Sequence, residues 1–139
     1  MVYLRIGGTS VACHFFARVT LILLADDQAE VRSALRLLLE HELGLDDIRE
    51  AGDLQATISC AQHHALDIVI LDWELDGAIP QLVAELHRCP GRPRVLAMSG
   101  QPQAKAEAFD SGVDAFISKT EAPEVLLDTL RSLLGGAAA

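Results

Sequence analysis

Aromatic residues are scarce in this chain and account for 4% of its 139 residues. The core must therefore be packed mainly by Leu, Val, Ile and Ala. Hydrophobic residues make up half of the sequence, which is enough for one domain of ordinary size. Disulfides and a structural metal are not needed to stabilise a domain of this length.

Cysteines are few, and their spacing excludes the common zinc motifs. Cys13, Cys60 and Cys89 are far apart, odd in number, and form no CxxC or Cys/His pattern. We therefore expect reduced thiols and a cytoplasmic protein.

Long hydrophobic runs are also missing. No apolar stretch approaches the roughly 20 residues that span a bilayer, so we expect no membrane contact. The apolar run from Val11 to Ala17 is interrupted by His14 and is too short and too mixed for a secretory signal. We expect residues 1–18 to be a disordered or loosely docked extension, residues 19–134 to form the domain, and residues 135–139 to be a tail.

Positive charge is in deficit, with 11 Lys and Arg against 20 Asp and Glu and a net charge of −9. Binding to nucleic acid draws its affinity from clustered Lys and Arg, so direct nucleic-acid binding by this chain is not expected. The charge is compatible with cations and with a basic protein partner.

Short apolar runs alternate with amphipathic segments along the rest of the chain. This alternation predicts five βα units, and hence an α/β domain with a doubly wound, five-stranded parallel sheet. The second strand is poor in apolar residues, which favours a position at the sheet edge. The predicted strands are Val19–Ala25, Asp47–Ala51, Ile68–Asp72, Arg94–Met98 and Ala115–Ile117. The predicted helices are Ala29–Leu43, a segment capped by Asp53, a segment with Pro80 in its first turn, Gln103–Asp110, and Pro123–Leu134.

Polar residues follow four of these strands. Asp26 and Asp27 follow the first, Asp72 the third, Ser99 the fourth and Lys119 the fifth. The carboxyl ends of parallel strands form one rim of the sheet, where α/β proteins bind ligands. Taken singly, each residue has a plain explanation as a helix cap, a turn residue or a loop charge. Their joint placement at one rim predicts a ligand-binding site.

The chemistry of such a cluster is restricted. Three neighbouring carboxylates repel one another and call for a cation, and oxygen ligands of this kind select a hard ion such as Mg²⁺. A carboxylate can also attack phosphorus and form an aspartyl phosphate.

These residues resemble the receiver domain of two-component response regulators over Val19 to Leu134. The resemblance implies a flavodoxin-like sheet of strand order 2-1-3-4-5. It is carried by Asp26-Asp27, Leu71-Asp72, Met98-Ser99-Gly100 and Phe116-Ile117-Ser118-Lys119.

The resemblance implies a role for each acidic position. Asp72 would be the phosphoacceptor and a Mg²⁺ ligand. Asp27 would bind the ion directly, and Asp26 would bind the ion or its water. The backbone carbonyl of Glu74 would be a further ligand.

The remaining positions would recognise the phosphoryl group and report its presence. Lys119 would bind a phosphoryl oxygen, and Ser99 would be the switch hydroxyl. Phe116 would be the aromatic switch residue, or simply a core residue on its strand. Val125 and Leu127 lie off the main stripe of the last helix, so they either face a partner or widen the buried face.

The implied function is a phosphorylation-dependent switch in a phosphorelay, with a sensor histidine kinase or a phosphotransfer protein as donor. The domain would hydrolyse its aspartyl phosphate slowly and would not be a turnover enzyme. Output would pass through the face of the fourth helix, fifth strand and fifth helix, which could also form a homodimer.

The chain departs from the family pattern at two positions where receivers usually have proline, namely Asp76 and Thr120. We also expect Glu74 to modulate dephosphorylation by affecting the access of water. Two alternatives stay open: a receiver fragment of a DNA-binding transcriptional regulator, and a pseudo-receiver that binds partners without being phosphorylated. Thr120 and the segment Pro123–Leu126 favour the first. A haloacid-type hydrolase and a flavin-binding protein are disfavoured, because their motifs are missing after the first strand.

Overall fold

The computed structural model describes residues 2–6, 9–13 and 19–136. Strands β1 (Val2–Ile6) and β2 (Thr9–Cys13) pair antiparallel, with Val2 opposite Cys13 and Ile6 opposite Thr9. The sequence predicted no strands in this segment. The role of residues 1–18 as an extension to the domain stays a prediction.

Residues 19–136 form a five-stranded parallel sheet with five helices. The strands are β3 (Ile22–Ala25), β4 (Ile48–Ala51), β5 (Ile68–Asp72), β6 (Arg94–Ser99) and β7 (Ala115–Ser118). Their order is β4-β3-β5-β6-β7, which is 2-1-3-4-5 counted within this sheet, as predicted. The sparsely apolar β4 is an edge strand, also as predicted.

Three of the helices have a boundary residue suited to its position. The five helices are α1 (Ala29–Leu43), α2 (Leu54–His63), α3 (Ile79–His87), α4 (Ala104–Asp110) and α5 (Pro123–Gly136). Gly44 ends α1 in the left-handed region at φ 65°, where a residue without Cβ is favoured. Asp53 caps α2 by accepting a hydrogen bond from the Ala56 N–H at 2.7 Å. Pro80 lies in the first turn of α3, as expected.

The core has one layer on each face of the sheet, because successive strand residues point to opposite sides. Leu23 and Val69 pack with α2, α3 and α4, whereas Ile22 and Ile68 pack with α1 and α5. Burial on both faces explains why the central strands are continuous apolar runs.

Several predicted boundaries differ from the structure. β3 begins at Ile22 rather than Val19, whose side chain is 60% exposed and adds nothing to the core. α5 continues through Gly136, into the predicted tail, and residues 137–139 lie outside the described residues. Leu127 is buried at 6% exposure and Val125 is exposed at 39%, so only Val125 is available to a partner.

No helix in residues 19–136 is both long enough and apolar enough to cross a membrane. Cys60 and Cys89 are free thiols, and burial raises the pKa of each. The side chain of Cys13 lies outside the described part of the chain.

Candidate functional site

Three carboxylates meet at the carboxyl ends of β3 and β5. Asp26 and Asp27 follow Ala25 directly, and Asp72 is the last residue of β5. One oxygen from each lies within 4.8 Å of the other two. Asp26 and Asp72 are each 4% exposed, while Asp27 is open to solvent. The three predicted acids are therefore brought together.

Lys119 reaches this cluster from the end of β7. Its Nζ lies 3.0 Å from Asp72 Oδ1 and 3.7 Å from Asp26 Oδ2. Partial burial by itself lowers the pKa of Lys119, but the hydrogen bond to Asp72 and the charges of Asp72, Asp26 and Glu74 outweigh it and raise that pKa. The lysine therefore stays cationic and offsets part of the acidic charge.

Asp26 is fixed by contacts with the start of α1. Its Oδ1 accepts a hydrogen bond from the Gln28 N–H at 2.9 Å, and its carbonyl accepts one from Arg32 at 2.5 Å. Burial raises the pKa of Asp26, with the neighbouring charges of Asp72 and Asp27 adding to it, against the lowering effects of the Gln28 N–H and Lys119. Gln28 occupies the N-cap position of α1 without a capping hydrogen bond from its side chain, so neither acid is the N-cap.

The two oxygens of Asp72 have different surroundings. Oδ1 accepts hydrogen bonds from the Glu74 N–H and from Lys119, each at 3.0 Å. Within residues 19–136 the structure records no hydrogen bond to Oδ2. One oxygen is therefore held in place while the other is left to react or to bind a cation.

Ser99 ends β6 and is 1% exposed. Its Oγ donates a hydrogen bond to Oε1 of Glu74 at 2.6 Å, and the Gly100 N–H donates to the same oxygen at 3.0 Å. Oε2 of Glu74 lies 4.0 Å from Lys119 Nζ. The sequence predicted that the backbone carbonyl of Glu74 binds the metal and that Glu74 affects the access of water. The hydrogen bonds of its side chain to Ser99 and Gly100 were not predicted, and the only available signal was a carboxylate two residues after Asp72.

Trp73, directly after Asp72, connects the end of β5 to α4. Its indole Nε1 donates a hydrogen bond to Oε1 of Glu107 at 3.0 Å, and its side chain is buried. This contact was not predicted. Phe116 is half-buried and packs against the layer of core that contains Ala97 and Ala108, so its position is compatible with either expected role.

A cavity of about 390 Å³ lies between α1 and the sheet and opens beside the carboxylates. Its walls are mostly apolar, with Val31 and Leu35 from the helix and Ile70 and Met98 from the sheet. Asp26, Asp72 and Lys119 also line it. The site therefore has an apolar side next to its charged centre.

The donor set fits a hard divalent cation. Three carboxylates supply oxygen ligands, and their mutual repulsion is relieved by a 2+ ion. In the part of the chain that the structure describes, no nitrogen or sulfur ligand, of the kind that favours zinc, joins this cluster. Together with Lys119, the arrangement can neutralise the charge of a phosphoryl group next to a nucleophilic carboxylate.

Comparison with known proteins shows which family the chain resembles. The family model of the response regulator receiver domain matches residues 22–131. The chain is 28% identical over 114 residues to the nitrate/nitrite response regulator protein NarP of Escherichia coli K12, covering 80% of this chain and 53% of that protein. It is 32% identical over 118 residues to the transcriptional activator protein ExaE of Pseudomonas putida, covering 83% and 55%.

Solved structures share the fold. A CheY-like receiver domain protein from Methanospirillum hungatei superposes with a TM-score of 0.76 at 20% identity, covering 86% of this chain and 96% of that one. RcsB of Salmonella enterica, solved with promoter rprA and phosphomimetic BeF3−, superposes with a TM-score of 0.71 at 20% identity, covering 83% and 98%. The chain spans about half the length of the curated relatives it matches.

Proposed function

Since the chain belongs to the response regulator receiver domain family, we propose that its signalling depends on phosphorylation of Asp72. Receiver domains of this family are signalling switches and do not turn over small-molecule substrates. The observation that carries the assignment is the meeting of Asp26, Asp27, Asp72 and Lys119 at one rim. Among the described residues, none donates a hydrogen bond to Asp72 Oδ2.

The reaction is an in-line transfer to Asp72. As Oδ2 forms a bond to phosphorus, the bond between phosphorus and the donor's leaving atom breaks, and that atom keeps the electron pair. Asp26, Asp27, Asp72 and the Glu74 carbonyl would hold Mg²⁺, which when bound neutralises phosphoryl charge. Lys119 holds Oδ1 of Asp72 and orients the carboxylate for attack.

Ser99 and Phe116 are proposed as the residues that report the phosphoryl group. The Ser99 hydroxyl is buried at the same rim and can donate to a phosphoryl oxygen. Phe116 lies three residues before Lys119 on the strand that faces α4 and α5. A change in its packing would reach the output surface.

The proposed phosphodonor is a sensor histidine kinase or a phosphotransfer protein in the cytoplasm. Slow hydrolysis of the aspartyl phosphate would reset the switch.

Phe109 on α4 is 46% exposed and Val125 on α5 is 39% exposed. These two apolar side chains support a proposed homodimer through the α4-β7-α5 face.

A second candidate function is that of the receiver part of a DNA-binding regulator. It is favoured by the length comparison, because the chain matches about half of the transcriptional activator ExaE. In that case the negatively charged receiver would control DNA binding without touching DNA itself. The complete reading frame tests this candidate, which fails if no DNA-binding segment follows.

The decisive experiment is incubation with acetyl phosphate and Mg²⁺, read by intact mass. We expect the wild type to gain one phosphoryl group and Asp72→Asn to gain none. Asp76→Asn is the matched control, because it removes an exposed acid from the same loop. A gain in Asp72→Asn would refute the acceptor assignment, and no gain in any variant would favour the non-phosphorylated interaction module.

A further inference from the structure

The Glu74 carboxylate accepts hydrogen bonds from Ser99 and Gly100 at the same rim as Asp72. We propose that this carboxylate is a built-in competitor, which holds Ser99 inward before phosphorylation and must be displaced when a phosphoryl group arrives. This inference rests on the proposed function, since it concerns regulation of the same site.

The geometry around Glu74 is that of an anion site. Its Oε1 accepts hydrogen bonds from Ser99 Oγ at 2.6 Å and from the Gly100 N–H at 3.0 Å. Its Oε2 lies 4.0 Å from Lys119 Nζ. A hydroxyl, a backbone N–H and an ammonium group are the donors that proteins use for phosphoryl oxygens. Glu74 therefore occupies two of these donors, Ser99 and Gly100, with its own carboxylate, while Lys119 donates its hydrogen bond to Asp72.

Competition follows from the number of donors. The Ser99 hydroxyl and the Gly100 amide have one proton each, so neither can serve Glu74 and a phosphoryl oxygen fully at once. A phosphoryl group also carries between one and two negative charges at neutral pH, about −1.5 to −2, and would repel the Glu74 carboxylate at close range. The two anions therefore exclude each other from this position.

Displacement of the carboxylate is structurally simple. The Glu74 side chain is 38% exposed, so it can swing into solvent. Its backbone is held separately by the hydrogen bond from the Glu74 N–H to Asp72 Oδ1. The carbonyl proposed as a metal ligand can then stay in place while the carboxylate leaves. Only molecules in which Glu74 has left Ser99 and Gly100 can bind an anion there. The apparent affinity for the anion therefore falls in proportion to the fraction of such molecules.

The first test measures binding of beryllofluoride, a phosphoryl analogue, with Mg²⁺ held constant. Fluorine NMR of the bound species gives the affinity, and the fluorescence of Trp73, the chain's single tryptophan beside Asp72, is a second readout. We expect Glu74→Ala to bind about ten-fold more tightly than wild type, because the competing acceptor is gone. Glu74→Gln should lie between them, since its amide oxygen can still accept from Ser99.

Asp76→Ala is the matched control for simple loss of charge. Asp76 lies in the same exposed loop, and the structure records no contact between it and Ser99, Gly100 or Lys119. Its affinity for beryllofluoride should stay within about two-fold of wild type, as expected for a solvent-screened charge. An increase equal to that of Glu74→Ala would show a general electrostatic effect and overturn the proposal.

The second test needs no phosphoryl analogue. In the metal-free chain, the Gly100 amide proton should move upfield in Glu74→Ala, because a hydrogen bond to a charged acceptor is lost. An unchanged Gly100 resonance would overturn the contact. Equal beryllofluoride affinity in wild type and Glu74→Ala would overturn the competition alone. No binding in any variant would overturn the proposed function together with the competition.

Discussion

At the scale of one residue, the contacts of Asp72 fix the orientation of its carboxylate. Lys119 and the Glu74 N–H both bind Oδ1, and this orients the carboxylate without using Oδ2. The side chain is 4% exposed, so these contacts also offset part of the cost of burying its charge. As the proposed nucleophile, Asp72 would need little rearrangement to react at Oδ2, because its other oxygen is already held.

The last helix provides a residue-scale prediction about stability. Leu127→Ala should lower the free energy of unfolding by about 2–4 kcal/mol, because its side chain is buried in the core and a cavity would remain. Val125→Ala, two residues earlier and 39% exposed, should cost less than about 1 kcal/mol. Urea unfolding measures both. Equal losses would show that Leu127 is not a core residue.

At the scale of elements, α1 is tied to the edge strand β4 by one acid and two arginines. Glu50 accepts hydrogen bonds from Arg32 and Arg36, each at 2.9 Å. Arg32 also donates to the carbonyl of Asp26, and Arg36 to that of Ile48. The network therefore fixes the chain just before α1, where Asp26 and Asp27 lie.

This network predicts a pH dependence of stability. Burial works to raise the pKa of Glu50, but the hydrogen bonds and charges of Arg32 and Arg36 prevail and lower it below the ordinary 4.5. A carboxyl whose pKa is lower in the folded state stabilises the fold above its unfolded pKa, and this contribution is lost as the pH falls through the folded pKa.

Glu50→Gln should therefore be less stable than wild type at pH 7, by roughly 1 kcal/mol or less, as for other exposed pairs. The difference should shrink as the pH falls below about 4.5. Urea unfolding of both proteins between pH 7 and pH 3 measures it. A difference that stays constant across this range would show that the charge of Glu50 is not involved.

On the scale of the whole molecule, the site exists only in the folded state. Its groups come from the ends of β3, β5, β6 and β7, and Asp72 and Lys119 are 47 residues apart in sequence. A cation that binds the assembled carboxylates must therefore stabilise the fold, because the unfolded chain has no such site.

Mg²⁺ should accordingly raise the free energy of unfolding by about 1.4 kcal/mol at a free concentration about ten times its Kd. Asp27→Asn should lose most of this gain while folding normally, because Asp27 is exposed and its substitution leaves the core intact. Urea unfolding with Mg²⁺, or with a chelator and NaCl at matched ionic strength, measures the effect. The same gain in both proteins would indicate general screening of charge.

Much of this protein follows from its sequence alone. Apolar runs set the strands and their approximate ends, and the alternation with helices dictates a parallel sheet. Together these place Asp26, Asp27, Asp72, Ser99 and Lys119 at one rim. Local signals at Gly44, Asp53 and Pro80 were also enough to predict where α1 ends and where α2 and α3 begin, since each acts within one turn of its helix.

The tertiary structure decided what depends on contacts between distant segments. Leu127 is buried because of how α5 is rotated on the sheet, which helical periodicity leaves open by about one position. The Glu74 side chain points to Ser99, 25 residues away, because Ser99 and Gly100 have protons to donate there. The hydrogen-bond partners of a side chain in an exposed loop are determined only once the strands have assembled. The sequence therefore located the site, and the folded chain determined which of its groups are already engaged.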